Sequence, residues 1–167
     1  IPEADWPALI DALCQSGDTA PLLAASLPAP EAPLAAQQPA IDGFFAGETL
    51  LDILNALRAD LGDFAADTLK SLARNSPLSM AATVEMIHRL RGPAADIRRA
   101  LELEYRFTHR AQDKSDFLEG IRAAVIDKDR SPNWQHSLDA PPQMAATQML
   151  LPLGADKLTF DTKGDMS

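Results

Sequence analysis

The sequence predicts an all-α protein, and three features of the chain carry that prediction. Apolar residues recur at helical spacing in several segments, and no segment shows the strict alternation typical of a half-buried strand. Asp, Ser, Thr, Gly and Pro mark where these segments start and stop. The chain has 167 residues, of which 46% are apolar and 5% aromatic, so one core of mainly aliphatic side chains is expected.

The first part of the chain predicts short helices followed by a linker. Asp5 and Pro7 begin a helix and Gly17 ends it, because proline suits the first turn and glycine the position after the last. A second short helix and then a dense run of prolines follow. Since proline removes a backbone donor and clashes with a preceding turn, extended backbone is expected there. The sequence therefore predicts short helices over residues 1–27 and a proline-rich linker over 28–43.

Residues 44–140 are predicted to form a helical domain. Leu50, Ile53, Leu54 and Leu57 lie at the spacing of one face of an amphipathic helix. Four further helices are predicted to begin at Asp63, at Ser76-Pro77, near Asp96, and at Asp113 or Ser115. Residues 141–167 are predicted to hold a last helix, around Met144 to Leu151, and a tail that is frayed from Asp161.

Charge and cysteine content limit the partners and the compartment. The net charge is −9, with 24 acidic and 15 basic residues, so neither nucleic acid nor a membrane surface is an expected partner. No stretch approaches the roughly 20 apolar residues that span a bilayer. The single cysteine, Cys14, cannot form an internal disulfide, which favours a reducing compartment.

Self-contained catalytic motifs are absent from the sequence. It has no Gly-x-Ser-x-Gly turn, no His-Glu-x-x-His, no Cys-x-x-Cys pair and no glycine-rich phosphate loop. No metal site and no bound cofactor are therefore expected. His88, His109 and His136 stand apart from one another and are predicted to lie on the surface or at helix ends, and Cys14 is predicted to be a small core residue.

Glu104 is the carboxylate with the most informative position. It lies one turn after Leu101, on a row that the periodicity places inward. A buried carboxylate needs a partner, because an unpaired one is costly or becomes protonated. Arg122, on the following helix, is the candidate partner. The sequence leaves two interpretations open: a structural ion pair between Glu104 and Arg122, or a general acid/base role for Glu104.

Several blocks of sequence together resemble a known family. They are Ala66-Asp67-Thr68-Leu69-Lys70, Asn75-Ser76-Pro77-Leu78-Ser79, Glu104-Tyr105-Arg106, the segment from Phe117 to Ala123, the segment from Ile126 to Trp134, and Pro152-Leu153-Gly154. The blocks and their spacing resemble the 3-hydroxyisobutyryl-CoA hydrolases of the crotonase superfamily. Residues 1–23 more weakly resemble the stretch that follows the crotonase core.

The resemblance implies a fold for this chain and indicates which part of the protein holds the catalytic residues. It implies that this chain is the multi-helix C-terminal region of a crotonase-type protein, without the N-terminal α/β spiral core. In that family the core holds the oxyanion hole and the reacting carboxylates, so no catalytic residue can be transferred to this chain, which is predicted to be inactive alone. The implied partners are that core and the substrate acyl-CoA. Lys128, and less closely Arg130, are the implied contacts to CoA; a solvated lysine at the end of a helix is the alternative for Lys128.

The sequence and the resemblance leave three functions open. The first is part of a hydrolase of 3-hydroxyisobutyryl-CoA, a step of valine breakdown, which packs on the core and helps to close the acyl-CoA site. The second is part of an enoyl-CoA hydratase or isomerase. The third is an independent helical interaction module, which would expose no large apolar surface. The resemblance implies the bacterial cytoplasm or the mitochondrial matrix.

Overall fold

The computed structural model describes residues 1–92 and 96–160, and all regular secondary structure in these ranges is helical. The all-α prediction is confirmed for these residues. The helices are α1 (Trp6–Ser16), α2 (Ala20–Ala24), α3 (Pro33–Phe44), α4 (Leu50–Ala59), α5 (Asp63–Leu72), α6 (Pro77–Arg89), α7 (Ile97–Lys114), α8 (Phe117–Ile121) and α9 (Gln143–Met149). A π-helical turn, Arg122–Ile126, continues α8, and short 3-10 turns span Glu3–Asp5 and Gly154–Asp156. None of the described helices is long and apolar enough to cross a membrane. The predicted frayed tail from Asp161 lies outside the described residues.

Residues 1–38 and 39–167 form two compact units. In the first unit, α1 ends as predicted: Gly17 has a φ of 67°, and its N–H donates to the Leu13 carbonyl at 2.8 Å. The side chain of Asp18 accepts from the N–H of Ala20 at 2.9 Å, where α2 begins. Neither α1 nor α2 contains a buried residue.

The predicted extended linker over residues 28–43 is wrong for most of its length, because α3 begins at Pro33 and runs to Phe44. Pro33 occupies the first helical position, where a missing N–H costs nothing. Pro39 is the interior proline, and it removes one hydrogen bond without ending the helix. Within residues 28–43, irregular backbone is confined to residues 28–32. The limits proposed for the domains (1–27, 28–43, 44–140 and 141–167) remain a prediction.

The core of the second unit brings together α4, α6 and α9. The predicted apolar stripe is confirmed, since Leu50, Ile53, Leu54 and Leu57 are all buried. The main cluster consists of Leu50, Leu54, Leu78, Ala81, Ala82, Ala146 and Met149, and a smaller one of Ile53, Leu57 and Ala65. The cluster is built from long leucines against short alanines, which allows the helices to approach closely.

Side-chain caps fix the starts of three helices. Ser76 caps α6 by accepting from the N–H of Ser79 at 3.2 Å, as predicted. Asp96, near which a helix was predicted to begin, caps α7 by accepting from the N–H of Arg99 at 2.8 Å. Thr49 and Asp52 form a reciprocal capping box at α4. Gly62 takes the cap position of α5, so the predicted cap, Asp63, is instead the first helical residue.

The end of α9 is held by arginines from α6 and α7. Arg110 donates to the carbonyls of Met149 and Leu151, both at 2.9 Å, and to that of Pro152 at 3.3 Å. Arg89 and Arg106 both donate to the carbonyl of Leu150, at 3.2 and 3.4 Å. The last carbonyls of a helix lack intrahelical partners, and cations are favoured there. Arg106, from the Glu-Tyr-Arg block, therefore has a structural role beside the Pro-Leu-Gly block.

Candidate functional site

The candidate site is the loop that follows the π turn, residues 127–134. In the π turn the N–H of Asp127 donates to the carbonyl of Arg122 at 2.8 Å, five residues earlier. The N–H of Arg130 then donates to the carbonyl of Ala123 at 3.0 Å, which folds the loop back onto the turn. Wide helical turns of this kind often occur at functional sites. The loop is thus anchored by backbone bonds at its first half.

Arg122 lies at the centre of the loop. Its guanidinium forms a two-bond fork with Glu119, at 2.9 and 2.8 Å. It also donates to Asp127 at 2.7 Å and to Asp129 at 2.6 Å. A fifth bond reaches the carbonyl of Ser131 at 3.1 Å. Charge-assisted bonds are the strongest hydrogen bonds in proteins, so this one side chain joins the end of α8 to most of the loop.

The acidic partners give the loop further backbone anchors. Glu119 also accepts from the N–H of Asn133 at 2.6 Å, and Asp129 accepts from that of Ser131 at 2.8 Å. The bonds from Arg122, and then the one from Asn133, lower the pKa of Glu119 to about 2. The bond from Arg122 likewise lowers the pKa of Asp129, and the carboxylates, Glu119 first, raise the pKa of Arg122. Glu119, Asp129 and Arg122 therefore keep their charges at neutral pH.

Lys128 and Arg130 flank Asp129 in an unusual backbone conformation. Their φ angles are 57° and 54°, and they are the described non-glycine residues with positive φ. This left-handed conformation costs about 1–2 kcal/mol for a residue with a side chain. Such residues persist where their surroundings hold them, and they are concentrated at functional sites. Both cationic side chains are exposed to solvent.

The bonds that Glu119 makes to Arg122 and Asn133 are predicted to persist in acid to well below the usual range of glutamate titration. The pKa of Glu119 is lowered from 4.5 to about 2, so its contribution to stability is complete above pH 4.5 and is lost as the pH falls toward 2. The carboxyl resonance of Glu119 in NMR spectra should titrate near pH 2. In the Arg122→Gln variant it should titrate closer to 4.5. A wild-type midpoint near 4.5 would contradict the fork.

Two adjoining grooves lie beside the loop, between the start of α6 and α8. One has a volume of about 510 Å³, and its polar lining includes Arg74, Asn75 and Arg130. The other has a volume of about 350 Å³ and is lined by apolar side chains of α7, α8 and the π turn: Phe107, Ala111, Phe117, Ile121 and Val125. Trp134 lines both grooves. Together they offer cationic groups beside an apolar surface.

Asp116 is a buried carboxylate that lines the second groove and connects the segments around it. It is 3% exposed and accepts from the hydroxyl of Ser76 at 2.5 Å and from the N–H of Gln135 at 2.9 Å. Through these bonds one carboxylate connects the cap of α6, the start of α8 and Gln135, the residue that follows the loop. No local signal in the sequence indicates this role of Asp116, because its partners lie 40 and 19 positions away.

The structure separates the two residues that were predicted to form an ion pair. Glu104 is exposed, and the carboxylates that hold Arg122 are Glu119, Asp127 and Asp129. The error was in the helix face. The buried row of α7 contains Leu103 and Ala111, whereas Leu101 is 40% exposed. Glu104 lies one turn after the exposed Leu101, on the same side of α7, so its carboxylate reaches solvent and needs no buried partner.

The remaining predicted residues lie in ordinary surroundings. Cys14 is exposed, so the prediction of a core cysteine is wrong. His88 is half-buried near the end of α6, where its ring lies 3.1 Å from a carboxylate oxygen of Glu48. His109 is exposed beside the ring of Tyr105. Within residues 1–92 and 96–160, no group of His, Cys, Asp and Glu side chains is arranged to hold a metal ion.

The sequence matches a family model and several curated proteins. The model of the enoyl-CoA hydratase/isomerase family matches residues 1–149. The mitochondrial 3-hydroxyisobutyryl-CoA hydrolase of Rattus norvegicus is 35% identical over 95 residues, which are 57% of this chain and 24% of the relative. The corresponding protein of Danio rerio is 35% identical over 101 residues, or 60% of this chain and 26% of the relative.

Two solved structures resemble nearly the whole chain. A crystal structure of an enoyl-CoA hydratase from Rhodobacter sphaeroides 2.4.1 is 52% identical with a TM-score of 0.82, covering 96% of this chain and 46% of that one. A carnitinyl-CoA dehydratase from Mycobacterium thermoresistibile is 28% identical with a TM-score of 0.83, covering 97% and 46%. The chain thus spans less than half of these structures and about a quarter of the curated relatives.

These matches correct the more specific part of the predicted fold class. The chain was expected to be the C-terminal helical half of a crotonase-type protein, separate from the family's α/β core. Instead, the family model matches residues 1–149, and the solved structures cover 96% and 97% of the chain. The expectation came from the resemblance of short sequence blocks, whereas helical periodicity reports local structure only and predicted the helices without their place in the family fold.

Proposed function

Because the chain belongs to the enoyl-CoA hydratase/isomerase family, we propose that it is part of a CoA-thioester hydrolase acting on 3-hydroxyisobutyryl-CoA in valine breakdown. The observation that carries the proposal is the identity of 35% and 34% with the rat and human hydrolases of that substrate, each over 95 residues. The blocks around Glu104-Tyr105-Arg106 and Ile126 to Trp134 support the same choice.

Lys128 and Arg130 are the proposed contacts to the CoA phosphates. Both are exposed cations on a loop whose backbone is held at many points, so binding a phosphate would require little ordering of the backbone. The protein carries a net charge of −9, and an anionic ligand must therefore be attracted by local cations. Arg74 lines the same groove as Arg130 and adds a further positive charge.

An exposed apolar surface supports packing against further protein. Phe117, Leu118, Val125 and Ile126, on α8 and the π turn, are 54–69% exposed. Clustered large apolar side chains at a surface are typical of contact sites. We assign this surface to contact with the part of the relatives' length that this chain does not span, which would supply the reacting groups and close the acyl-CoA site. The exposure favours this assignment over an independent helical module.

The 167-residue chain alone is expected to release no CoA from 3-hydroxyisobutyryl-CoA. Thioester hydrolysis needs donors preorganised for the developing oxyanion and a nucleophile or activated water. The proposed role of the described residues is scaffolding and phosphate contact. Purified chain is incubated with the thioester and the free thiol is measured with a chromogenic disulfide, with buffer alone as the control. CoA release that scales with the concentration of the chain would contradict the expectation.

A second candidate function is enoyl-CoA hydration, favoured by the identity of 52% with the Rhodobacter sphaeroides enoyl-CoA hydratase. The two functions differ in product. The protein translated from the complete reading frame that encodes these residues is assayed for thiol release from 3-hydroxyisobutyryl-CoA and for loss of the conjugated double bond of an enoyl-CoA. Thiol release without loss of the double bond supports the hydrolase, and the reverse result supports the hydratase.

We place the protein in a reducing compartment, either a bacterial cytoplasm or the mitochondrial matrix. The names of the rat and human relatives include the word mitochondrial. Cys14 is a free, exposed thiol, which suits a compartment where thiols stay reduced. Acyl-CoA is the proposed substrate, and no other cofactor, nucleic acid or membrane enters the proposal.

A further inference from the structure

The guanidinium of Arg122 has no spare donor. Its five N–H groups are matched by five hydrogen bonds: two to Glu119, one each to Asp127 and Asp129, and one to the carbonyl of Ser131. An arginine in this state cannot itself donate to a ligand without giving up a bond within the protein. Its effect on any ligand must therefore pass through the residues that it holds.

Two of the residues that Arg122 holds, Asp127 and Asp129, alternate along the chain with the cations of the loop. Asp127 and Asp129 bind Arg122, whereas Lys128 and Arg130, the next residues in each case, are exposed and left-handed. Asp129 lies between two residues in a disfavoured backbone conformation, and it is bound on one oxygen by Arg122 and on the other by the N–H of Ser131. Without the Arg122 side chain, the backbone bonds at Asp127 and Arg130 and the bond from Ser131 to Asp129 would remain, but the side chains of Asp127 and Asp129 would lose their shared cation.

We propose that Arg122 is the positioning residue of the anion-binding loop: by binding Asp127 and Asp129 it holds Lys128 and Arg130 where both can contact the phosphates of a CoA thioester. The proposal rests on the proposed function, because it takes CoA to be the anion. In this proposal Arg122 acts by holding the backbone of the loop, and not by adding its own positive charge to the attraction of the anion.

Charge and geometry make opposite predictions for one substitution. Glu119, Asp127 and Asp129 carry three negative charges, which Arg122, Lys128 and Arg130 balance. Changing Asp129→Asn removes a negative charge, which by electrostatics alone would strengthen binding of an anion. The same change removes a charge-assisted bond to Arg122 and loosens the left-handed backbone on both sides, which would weaken binding.

The test is calorimetric titration of CoA into the protein translated from the complete reading frame. Asp129→Asn is expected to weaken CoA binding about threefold, and Arg122→Gln about tenfold. Arg122→Lys keeps the charge but loses the two-bond fork, so an intermediate loss is expected. Arg99→Gln, the same change at an exposed arginine, is the matched control and should alter binding less than about twofold. Pantetheine, which lacks the phosphates, should bind all variants equally.

The outcomes separate this proposal from the proposed function. If Lys128→Ala weakens CoA binding but Arg122→Gln and Asp129→Asn do not, Arg122 is not a positioning residue and the CoA contact stands. Equal or tighter binding by Asp129→Asn overturns the proposal in the same way. If the wild-type protein does not bind CoA, both proposals fail. A double variant Lys128→Ala, Arg122→Gln that binds no more weakly than Arg122→Gln supports action through the loop.

Discussion

Replacing Leu54 by alanine is expected to lower the free energy of unfolding by about 2–5 kcal/mol. Leu54 is fully buried and packs in the main cluster with Leu50, Leu78 and Met149. Several of its other neighbours are alanines, which are too short to fill the space left by a missing leucine side chain. The loss should therefore lie toward the upper end of the range.

Urea unfolding followed by tryptophan fluorescence measures this loss. The chain has two tryptophans, so a Trp6→Phe background leaves Trp134 as the reporter of residues 39–167. Leu51→Ala is the matched control on the same helix, because Leu51 is 42% exposed. Its cost should be about 1 kcal/mol or less. Similar losses for both variants would mean that the described core does not carry the stability of this unit.

Replacing Asp116 by alanine is expected to lower the free energy of unfolding by about 3 kcal/mol. The carboxylate is buried and accepts two hydrogen bonds, from the hydroxyl of Ser76 and from the N–H of Gln135. Alanine leaves the N–H of Gln135 without an acceptor and removes the support of the Ser76 cap. The change should also loosen the packing of Trp134 against Gly120 of α8, since Gln135 directly follows Trp134.

The same urea measurement applies, with the fluorescence of folded Trp134 as a second observable. Asp116→Asn should cost less than alanine, because its amide oxygen can still accept from Gln135 while the Ser76 hydroxyl turns to accept from the amide nitrogen. Asp113→Ala, at an exposed position of α7, is the matched control and should stay within about 0.5 kcal/mol. If Asp116→Ala lowers the free energy of unfolding no more than this control does, the bonds of Asp116 to Ser76 and Gln135 do not contribute to stability.

Local physical chemistry made much of the helical structure readable from the sequence. A cap such as Ser76 acts on the N–H of Ser79, and the stripe from Leu50 to Leu57 spans only two turns. Both signals arise within a few residues of one another, so neither depends on the rest of the fold. The proline-rich segment shows the limit of such rules, because Pro33 and Pro39 fall where a helix can include them.

The candidate site required tertiary structure. The sequence suggested Arg122, Lys128 and Arg130, but it assigned Arg122 the wrong carboxylate, Glu104, because the buried row of α7 was taken one position away from its true place. The alternation of Asp and Lys or Arg over residues 127–130 was the signal that could have indicated the true partners. Only the π turn and the left-handed residues decide which of these side chains meet Arg122.

What the sequence determined by itself is thus the helical class, most of the helix starts, the stripe that became the core, and the family resemblance. The tertiary structure decided how Arg122 is shared among Glu119, Asp127 and Asp129, and how Asp116 connects Ser76 to Gln135. The physical reason is range: periodicity and caps act over three or four residues, whereas a shared charge is placed by the path of the whole chain around it.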